Sequence, residues 1–434
     1  MFDSPQERTG AMDALVQGYQ GPAFAVRFPD GSQWSSSPGV VPECTIVLAN
    51  LRALEAFFVS PDEITLGEAF IHGDLDVEGD LFAVFAIAEH MFRRPATVRR
   101  RISGALLRAT LNLRRWIRHG PPHSQARDRA AIAHHYDQPV DFFRPWLGKS
   151  LAYSCAWFRS PQDSLDQAQE QKFELICRKL RLQPGERFLD IGCGWGGLIF
   201  HAATQHGVAA QGITVSRRQH EEASRRIREA NIEDRCAIAL RDYRDLSPKR
   251  ELFDKIASVG MYEHVGLEKL PQYFRAVRRV LRPGGVFLNH GIARATNSAP
   301  RTNSFIDRYV FPDGRLVTLP QALQAAEGAG LEIRDTENLR EHYEMTLRRW
   351  VAALQANADV LLRLVSKETY RIWLLYMAGC AAAFHRGNIA VYQVLFSNPN
   401  HGASHLPLTR EDWYVRDPEA RTWQPDSQLL SRMG

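Results

Sequence analysis

Three short stretches of this chain carry residue types that can do chemistry together. The first is Leu189-Asp190-Ile191-Gly192-Cys193-Gly194-Trp195-Gly196-Gly197, which follows a strand pattern and opens a helix pattern. Glycines there permit a tight turn and a close approach of backbone to ligand. The letters satisfy GxGxxG, so a dinucleotide is one reading. Two details oppose it. Asp190 precedes the first glycine, in the DxGxG arrangement of S-adenosylmethionine sites. The second strand ends Gly212-Ile213-Thr214-Val215-Ser216, without the acid that would hold a nicotinamide ribose. Ribose binding then falls to neutral groups, and Thr214 and Gln219 can supply the hydrogen bonds.

The second stretch is Gly260-Met261-Tyr262-Glu263-His264-Val265-Gly266, just past the fourth strand pattern. In open α/β sheets ligands sit at that carboxyl end. A Glu-His pair there can do acid–base work or hold an anion; a solvated pair capping a helix is the bland alternative. The third stretch, Tyr153-Ser154-Cys155-Ala156-Trp157-Phe158, mixes polar, thiol and aromatic groups. Taken alone, Cys155 reads as a small buried hydrophobe, His290 as a satisfied core histidine, Tyr343 as surface, and Cys380 as core packing. No metal site is expected. Adjacent His134 and His135 point apart on a helix, and Gly120-Pro121-Pro122 breaks the helix that would join His119 to His123.

These residues need a scaffold, and the chain supplies one. From Pro161 onward strand and helix patterns alternate. A helix over 163–182 is capped by Asp163 or Ser164, and strands follow at 187–191, 209–215, 236–240, 255–259 and 286–290. The fold class is therefore α/β, a doubly wound, mostly parallel Rossmann-like sheet. Residues 346–384 read as long, helical and aromatic. Upstream, Phe24 to Phe28 alternates, Pro29-Asp30-Gly31-Ser32 is a turn, 45–48 is a strand and 81–91 a buried helix. The expected organisation is a smaller α+β domain over 1–90, a basic linker helix over 91–125, the main domain over 126–400 and a surface tail over 401–434.

With 434 residues the chain has room for two or three domains. Its 44% hydrophobic and 24% charged residues exclude disordered, collagen-like and disulfide-scaffold classes. The longest uncharged apolar run, 372–384, is 13 residues, short of the ~20 needed to span a bilayer. The N-terminus lacks a basic-then-apolar signal pattern, and the 6 cysteines are scattered, as free thiols of a reducing cytoplasm would be.

The net charge of +5 conceals an uneven distribution. Residues 91–120 hold nine arginines, among them Arg99, Arg100, Arg101 and Arg108, and no acid, so the rest of the chain is slightly acidic. Ile102, Leu106, Ala109, Leu113, Trp116 and Ile117 recur at helical spacing within that belt. Nucleic acid is the reflex reading of such a belt. An apolar face bearing Trp116 beside arginines fits an anionic membrane surface better, so no nucleic-acid partner is expected.

Taken in order, these segments resemble the cyclopropane-fatty-acyl-phospholipid synthases and the related mycolic acid cyclopropane synthases. The resemblance runs from His135 to about Phe396. It rests on HYD (135–137), YSCAWF (153–158), LDIGCGWGGL (189–198), GITVSRRQ (212–219), RDYRDL (241–246), SVGMYEHVG (258–266), YVFPDG (309–314) and AGCAAAF (378–384). GEAFIHGDL (67–75) and Asp76 look like the family's N-terminal lipid-binding domain. Two departures stand out. Pro139-Val140 replaces a common Gly-Asn, and Asn289-His290-Gly291 replaces the usual apolar-His-Thr.

The resemblance implies a reaction at a cis double bond of phospholipid acyl chains. The π electrons attack the sulfonium methyl of S-adenosylmethionine, a base removes a proton from the new methyl, and a cyclopropane closes. In the family the base is thought to be bound bicarbonate, and its cradle maps onto Cys155, Glu263, His290 and Tyr343 with the backbone at Ile292. Cys380 matches a cysteine sometimes called catalytic, although this chemistry needs no covalent thiol. The cofactor assignments are Tyr153 and Ser154 at the methionine end, Asp190 with Gly192, Gly194 and Gly196 in the loop, Thr214 and Gln219 at the ribose, and Asp242 and Tyr243 at the adenine. Trp350, Trp373, Tyr376 and Phe384 suit a lid or acyl channel that keeps water out. The family also implies unsaturated phospholipids as partners, a homodimer, and a cytoplasmic enzyme held at the inner face of the membrane. Methylation of the same bond to a methyl- or methylene-branched chain shares the first step. A soluble-substrate methyltransferase is disfavoured because it needs no anion cradle, and a purely lipid-binding module because the cofactor loop is intact.

Overall fold

Strand Arg187–Ile191 is buried at successive positions from Phe188, not at alternate ones. That is the pattern of a strand covered by helices on both faces. The computed structural model places it in the middle of a seven-stranded sheet; the structure describes residues 5–50, 53, 57, 62–92, 138–297, 304–311 and 316–414.

The chain first builds a smaller unit. Helix α1 (Pro5–Leu15) precedes strands β1 (Phe24–Arg27), β2 (Gln33–Ser35) and β3 (Cys44–Leu48). Helix α2 (Glu63–His72), strand β4 (Leu75–Gly79) and helix α3 (Ala83–Phe92) complete it. The four strands pair in the order β2-β1-β3-β4. Helix α4 (Val140–Leu147) then leads into the main sheet. Pro139, which replaces the glycine of the common Gly-Asn, stands at its N-terminus and accepts from Phe142 N at 2.9 Å, so the departure serves to start a helix.

The main unit continues with α5 (Leu165–Leu180), β5 (Arg187–Ile191), α6 (Gly197–His206), β6 (Ala209–Thr214), α7 (Arg217–Glu229), β7 (Cys236–Leu240), β8 (Phe253–Val259), α8 (Leu270–Val280) and β9 (Leu281–Arg294). After them come α9 (Leu319–Gly328), β10 (Glu332–Asn338), α10 (Arg340–Ala356), α11 (Lys367–His385) and β11 (Ile389–Ser397). The strand order is β10-β11-β9-β8-β5-β6-β7, with parallel pairing from β9 through β7 and antiparallel pairing of β11 on both sides. The expected α/β, doubly wound, mostly parallel sheet is thus present. Ser164 caps α5 through a capping box, and the six cysteines are free thiols.

Two expectations change and one is qualified. The helical stretch 346–384 is two helices, α10 and α11, broken by a short helix, Ala358–Leu361, and restarted by the Ser366 cap. The tail from residue 401 runs on the surface as expected, but it is anchored near its described end: Trp413 is 3% exposed, among the cations of Lys179, Arg181 and Arg410. Tyr343, read from its charged neighbours as surface, packs edge-on to Trp350 and against Phe384.

Helix α11 ties the two units together. The Arg371 guanidinium is buried against the smaller unit. It donates to the main-chain oxygens of Phe70 and Leu75, pairs with Asp76 at 3.1 Å and lies over the Phe70 ring. Asp76 therefore acts as an anchor between sheet and helix. Among the described residues no helix is long and apolar enough to cross a membrane. The basic belt with Arg99, Arg100, Arg101, Arg108 and Trp116 lies outside the described residues, as do His134 and His135.

Candidate active site

The cavity that matters opens where β5 and β8 part company, at the carboxyl ends of the parallel strands. Strand β5 stops at Ile191, and the glycine loop follows. Gly192, Gly194 and Gly196 all have positive φ, at 81°, 55° and 84°, a region that costs other residues about 1 kcal/mol or more. At Gly197 a Cβ would meet the Phe173 ring at 2.8 Å, so helix α6 can start only with glycine there.

Tyr153, Ser154, Asp190, Gly192, Gly194, Thr214, Gln219, Asp242 and Tyr243 line this cavity; Gly196 does not, and instead caps α6. Thr214 Oγ1 donates to Gln219 Oε1 at 2.7 Å, which fixes the two ribose candidates against each other. The Asp242 carboxylate accepts from Arg244 N and Nε, both at 2.9 Å, so the adenine candidate is held in place by a neighbouring arginine. Asp190 is 2% exposed and its Oδ1 has no hydrogen-bond partner among the described residues. Burial raises its pKa to about 7, with Lys172 pulling the other way. A buried acceptor without a donor, facing a cavity rimmed by open glycines, fits a ligand that brings its own donors and a positive charge. S-adenosylmethionine brings both.

The segment holding Tyr153 to Phe158 has no regular structure and is fastened by side chains. Gln169 Nε2 donates to Ser154 O at 3.0 Å, Thr346 Oγ1 accepts from Ala156 N at 3.0 Å, and His342 Nδ1 accepts from Phe158 N at 3.0 Å. Lys172, absent from the sequence expectations, completes the fastening. It is 1% exposed, and its Nζ donates to Ser154 Oγ at 2.9 Å. Burial lowers its pKa to about 7, although Cys155 and Asp190 oppose this. A signal existed in the sequence: Lys172 falls on the buried stripe Ala168, Ile176, Leu180 of α5, where a charge is out of place.

The five residues assigned to an anion cradle do not line the cavity, but each sits beside it or beside a neighbour of it. Glu263 lies between the lining residues Met261 and His264. Its Oε1 accepts from Ile292 N at 2.8 Å, and Tyr262 OH donates to Ile292 O at 2.9 Å. The Ile292 amide expected to meet an anion is therefore already engaged by Glu263. Glu263 Oε2 and His290 Nε2 are buried without partners among the described residues. Burial raises the Glu263 pKa to about 7, against the pull of the Ile292 amide. Burial, reinforced by Lys172 and Lys179, pushes the His290 pKa well down, so its ring is neutral. Gln393 contacts His290 Nδ1 at 3.2 Å and fixes the ring.

Cys155 and Tyr343 meet this group through one main-chain carbonyl. Leu339 O accepts from Tyr343 N at 3.1 Å and lies 3.8 Å from Cys155 Sγ; Leu339 N donates to Val391 O, and Val391 pairs with Ile292 across β11 and β9. Burial pushes the Cys155 thiol far up, which makes it a hydrogen-bond donor and not a thiolate. Cys380 lies in a cluster with Tyr376, which also interacts with Tyr153 and Tyr343. Its thiol is pushed up to about 12 by burial, with Tyr376 opposing, so it is no nucleophile at neutral pH.

The departure at Asn289-His290-Gly291 has a packing cause. A Cβ at Gly291 would reach the Tyr262 ring at 1.9 Å, and Asn289 Oδ1 accepts from Tyr273 OH at 3.0 Å. Tyr262 thus occupies the space a larger residue would take. Behind Tyr153 stands an aromatic wall: Trp146, Trp350 and Trp373 each lie within 5.8 Å of its ring centroid, and Trp146 also contacts the other two tryptophans. Phe384 packs against Tyr343, and Tyr376 against Trp373.

Comparison with known proteins follows the same lines. Residues 123–394 match the family described as mycolic acid cyclopropane synthetase. A probable fatty acid methyltransferase of Pseudomonas putida is 39% identical over 394 residues, covering 89% of this chain and 94% of that protein. The cyclopropane-fatty-acyl-phospholipid synthase of Escherichia coli strain K12 is 37% identical over 275 residues, covering 63% of this chain and 69% of that protein. The solved structure of a cyclopropane synthase from Mycobacterium tuberculosis superposes with a TM-score of 0.59 at 31% identity, covering 62% of this chain and 97% of the other.

Proposed function

The chain belongs to the mycolic acid cyclopropane synthetase family of S-adenosylmethionine-dependent methyltransferases, and from that premise we propose that it acts on cis double bonds of phospholipid acyl chains, closing a cyclopropane ring. S-adenosylmethionine supplies an electrophilic methyl to the double bond, and bicarbonate supplies the base that takes a proton from that methyl. The chain's own residues do the rest. Asp190, the glycine loop, Thr214 and Gln219 hold the co-substrate at the strand ends.

The observation that carries this reading is the pair of buried, unpartnered atoms Glu263 Oε2 and His290 Nε2 beside that cavity. A methyltransferase for a good nucleophile needs no such pair. Glu263, with its pKa near neutrality, can present either a proton or a charge to a small oxyanion. His290, held neutral with Nδ1 against Gln393, has Nε2 left for the same ligand. A negative charge held there also stabilises positive charge developing on the acyl chain. Tyr343 and Cys155 sit at the edge of the same cradle, and the wall of Trp146, Trp350 and Trp373 provides an apolar surface without nucleophiles, where water is kept from the reacting carbon.

A second reading has a specific observation behind it. Two relatives whose matches cover 89% and 80% of this chain are both named probable fatty acid methyltransferases. Methyl or methylene branching of the same chain shares every feature above. Gas chromatography of the fatty acids released after incubation with S-adenosylmethionine and dioleoyl phospholipid vesicles separates the two. A ring product co-elutes with a cyclopropane standard; a branched product does not, and refutes the ring.

The arginine-rich belt 91–120 is proposed as the attachment to an anionic membrane, where the phospholipid substrate is met. A homodimer and a position at the inner face of the membrane are part of the same proposal.

A further inference from the structure

Away from the anion cradle, helices α5 and α6 bring three ligating side chains together, Cys177, His201 and His206, with Glu174 hydrogen-bonded to both histidines. Glu174 and Cys177 stand one turn apart on α5; His201 and His206 come from α6, the helix that the glycine loop opens. Glu174 Oε2 lies 3.2 Å from His201 Nε2 and 3.0 Å from His206 Nε2. The Cys177 sulfur and a ring nitrogen from each histidine all lie within 4.8 Å of one another.

These separations have a chemical meaning. A tetrahedral zinc ion with nitrogen and oxygen ligands at ~2.0–2.1 Å holds two such ligands about 3.3 Å apart. The carboxylate-to-imidazole spacings already match that geometry. A sulfur ligand at ~2.3 Å stands about 3.6 Å from each nitrogen, so the thiol needs to close by about an ångström. The remaining Glu174 oxygen accepts from Arg178 Nε at 2.6 Å, the kind of outer contact that orients a metal-binding carboxylate.

We propose that Glu174, Cys177, His201 and His206 form a site for a divalent transition metal of the zinc class, which pins α5 to α6. As the metal–sulfur bond forms, the Cys177 thiol releases its proton to solvent, each histidine keeps its proton on the ring nitrogen turned away from the ion, and the ion sheds its water ligands. One thiolate, one carboxylate and two neutral imidazoles balance a dipositive ion, so the filled site is neutral, as its buried position demands. His201 and His206, with side chains 13% and 18% exposed, offer the entry side, whereas Cys177 is fully buried. The ion would brace the helix that the cofactor glycine loop leads into.

Equilibrium dialysis of the purified full-length chain against zinc alone, followed by elemental analysis, tests this. The expected result is one zinc per chain at micromolar concentration, weakened at least tenfold in His206→Gln, which is partly exposed and therefore folds. Cobalt loaded in place of zinc gives a sulfur-to-metal charge-transfer absorption that Cys177→Ala loses. No zinc retained, retention undiminished in His206→Gln, or a cobalt spectrum without the sulfur band overturns the site. Zinc also raises the melting temperature of the native chain and not of His206→Gln; equal shifts in both count against it.

Discussion

Glu263 Oε1 accepts the main-chain N–H of Ile292 at 2.8 Å, and this leaves its second oxygen buried with no partner among the described residues. The bond fixes the carboxyl against the main chain of strand β9, two residues along from His290. It ties down a side chain that would otherwise be free beyond a strand end.

Removing the charge while keeping the shape isolates that role. Glu263→Gln is expected to lower turnover at least a hundredfold while the affinity for S-adenosylmethionine changes less than threefold. Turnover comes from lipid analysis and affinity from isothermal titration. Near-native turnover would strip Glu263 of its part in the chemistry.

The same substitution carries a pH signature in stability. Burial raises the Glu263 pKa to about 7 from an ordinary value near 4.5. The folded chain therefore holds this proton over a range where the unfolded chain has released it. The stability it contributes is full below about pH 4.5 and is lost as the pH rises through 7. Relative to the native chain, Glu263→Gln should gain on the order of a few kcal/mol between pH 5 and pH 8. Urea melts at four pH values measure this; a difference independent of pH contradicts it.

Lys172 is expected to act on cofactor binding through Ser154. Lys172→Met keeps the volume of the stem and removes the donor to Ser154 Oγ. The KM for S-adenosylmethionine should rise about tenfold, in line with one buried hydrogen bond worth ~1–1.5 kcal/mol. An unchanged KM in Lys172→Met would leave the residue a purely structural one.

Gly291→Ala tests the packing account of the Asn289-His290-Gly291 departure. The added methyl would overlap the Tyr262 ring. The expected cost is about 1–3 kcal/mol of stability, read by thermal melting, with loss of the Tyr262 bond to Ile292 and reduced turnover. A variant as stable and active as the native chain would mean that Tyr262 has another place to go.

Neutralising Arg99, Arg100 and Arg101 to glutamine should weaken binding to anionic vesicles roughly a hundredfold at moderate salt, at ~1 kcal/mol for each arginine. Vesicle co-sedimentation reads this directly. Unchanged binding removes the belt from the account.

Much of the site was legible because the strand ends announce themselves. The strand patterns ending near Ile191, Thr214 and Val259 pointed to the carboxyl end of the sheet, and glycines after Ile191 marked the loop. Residues whose purpose depends on distant partners were not legible singly. Tyr343 looked like surface until Trp350 and Phe384 were brought against it from the same helix and the next. Trp413 looked like tail because nothing local indicates that Lys179 and Arg181, more than two hundred residues earlier, wait for its ring. The amide of Ile292 was expected to face an anion, yet Glu263 already uses it. That exchange depends on a turn past β8 folding back on β9, which no spacing reports.

The most direct measurement of the whole account is lipid mass spectrometry. Purified protein is incubated with S-adenosylmethionine, bicarbonate and vesicles of cis-unsaturated phospholipid. The account predicts acyl chains heavier by one CH₂ and without the double bond, in proportion to S-adenosylhomocysteine formed. Lipid that stays unchanged while the co-substrate is demonstrably bound would contradict it.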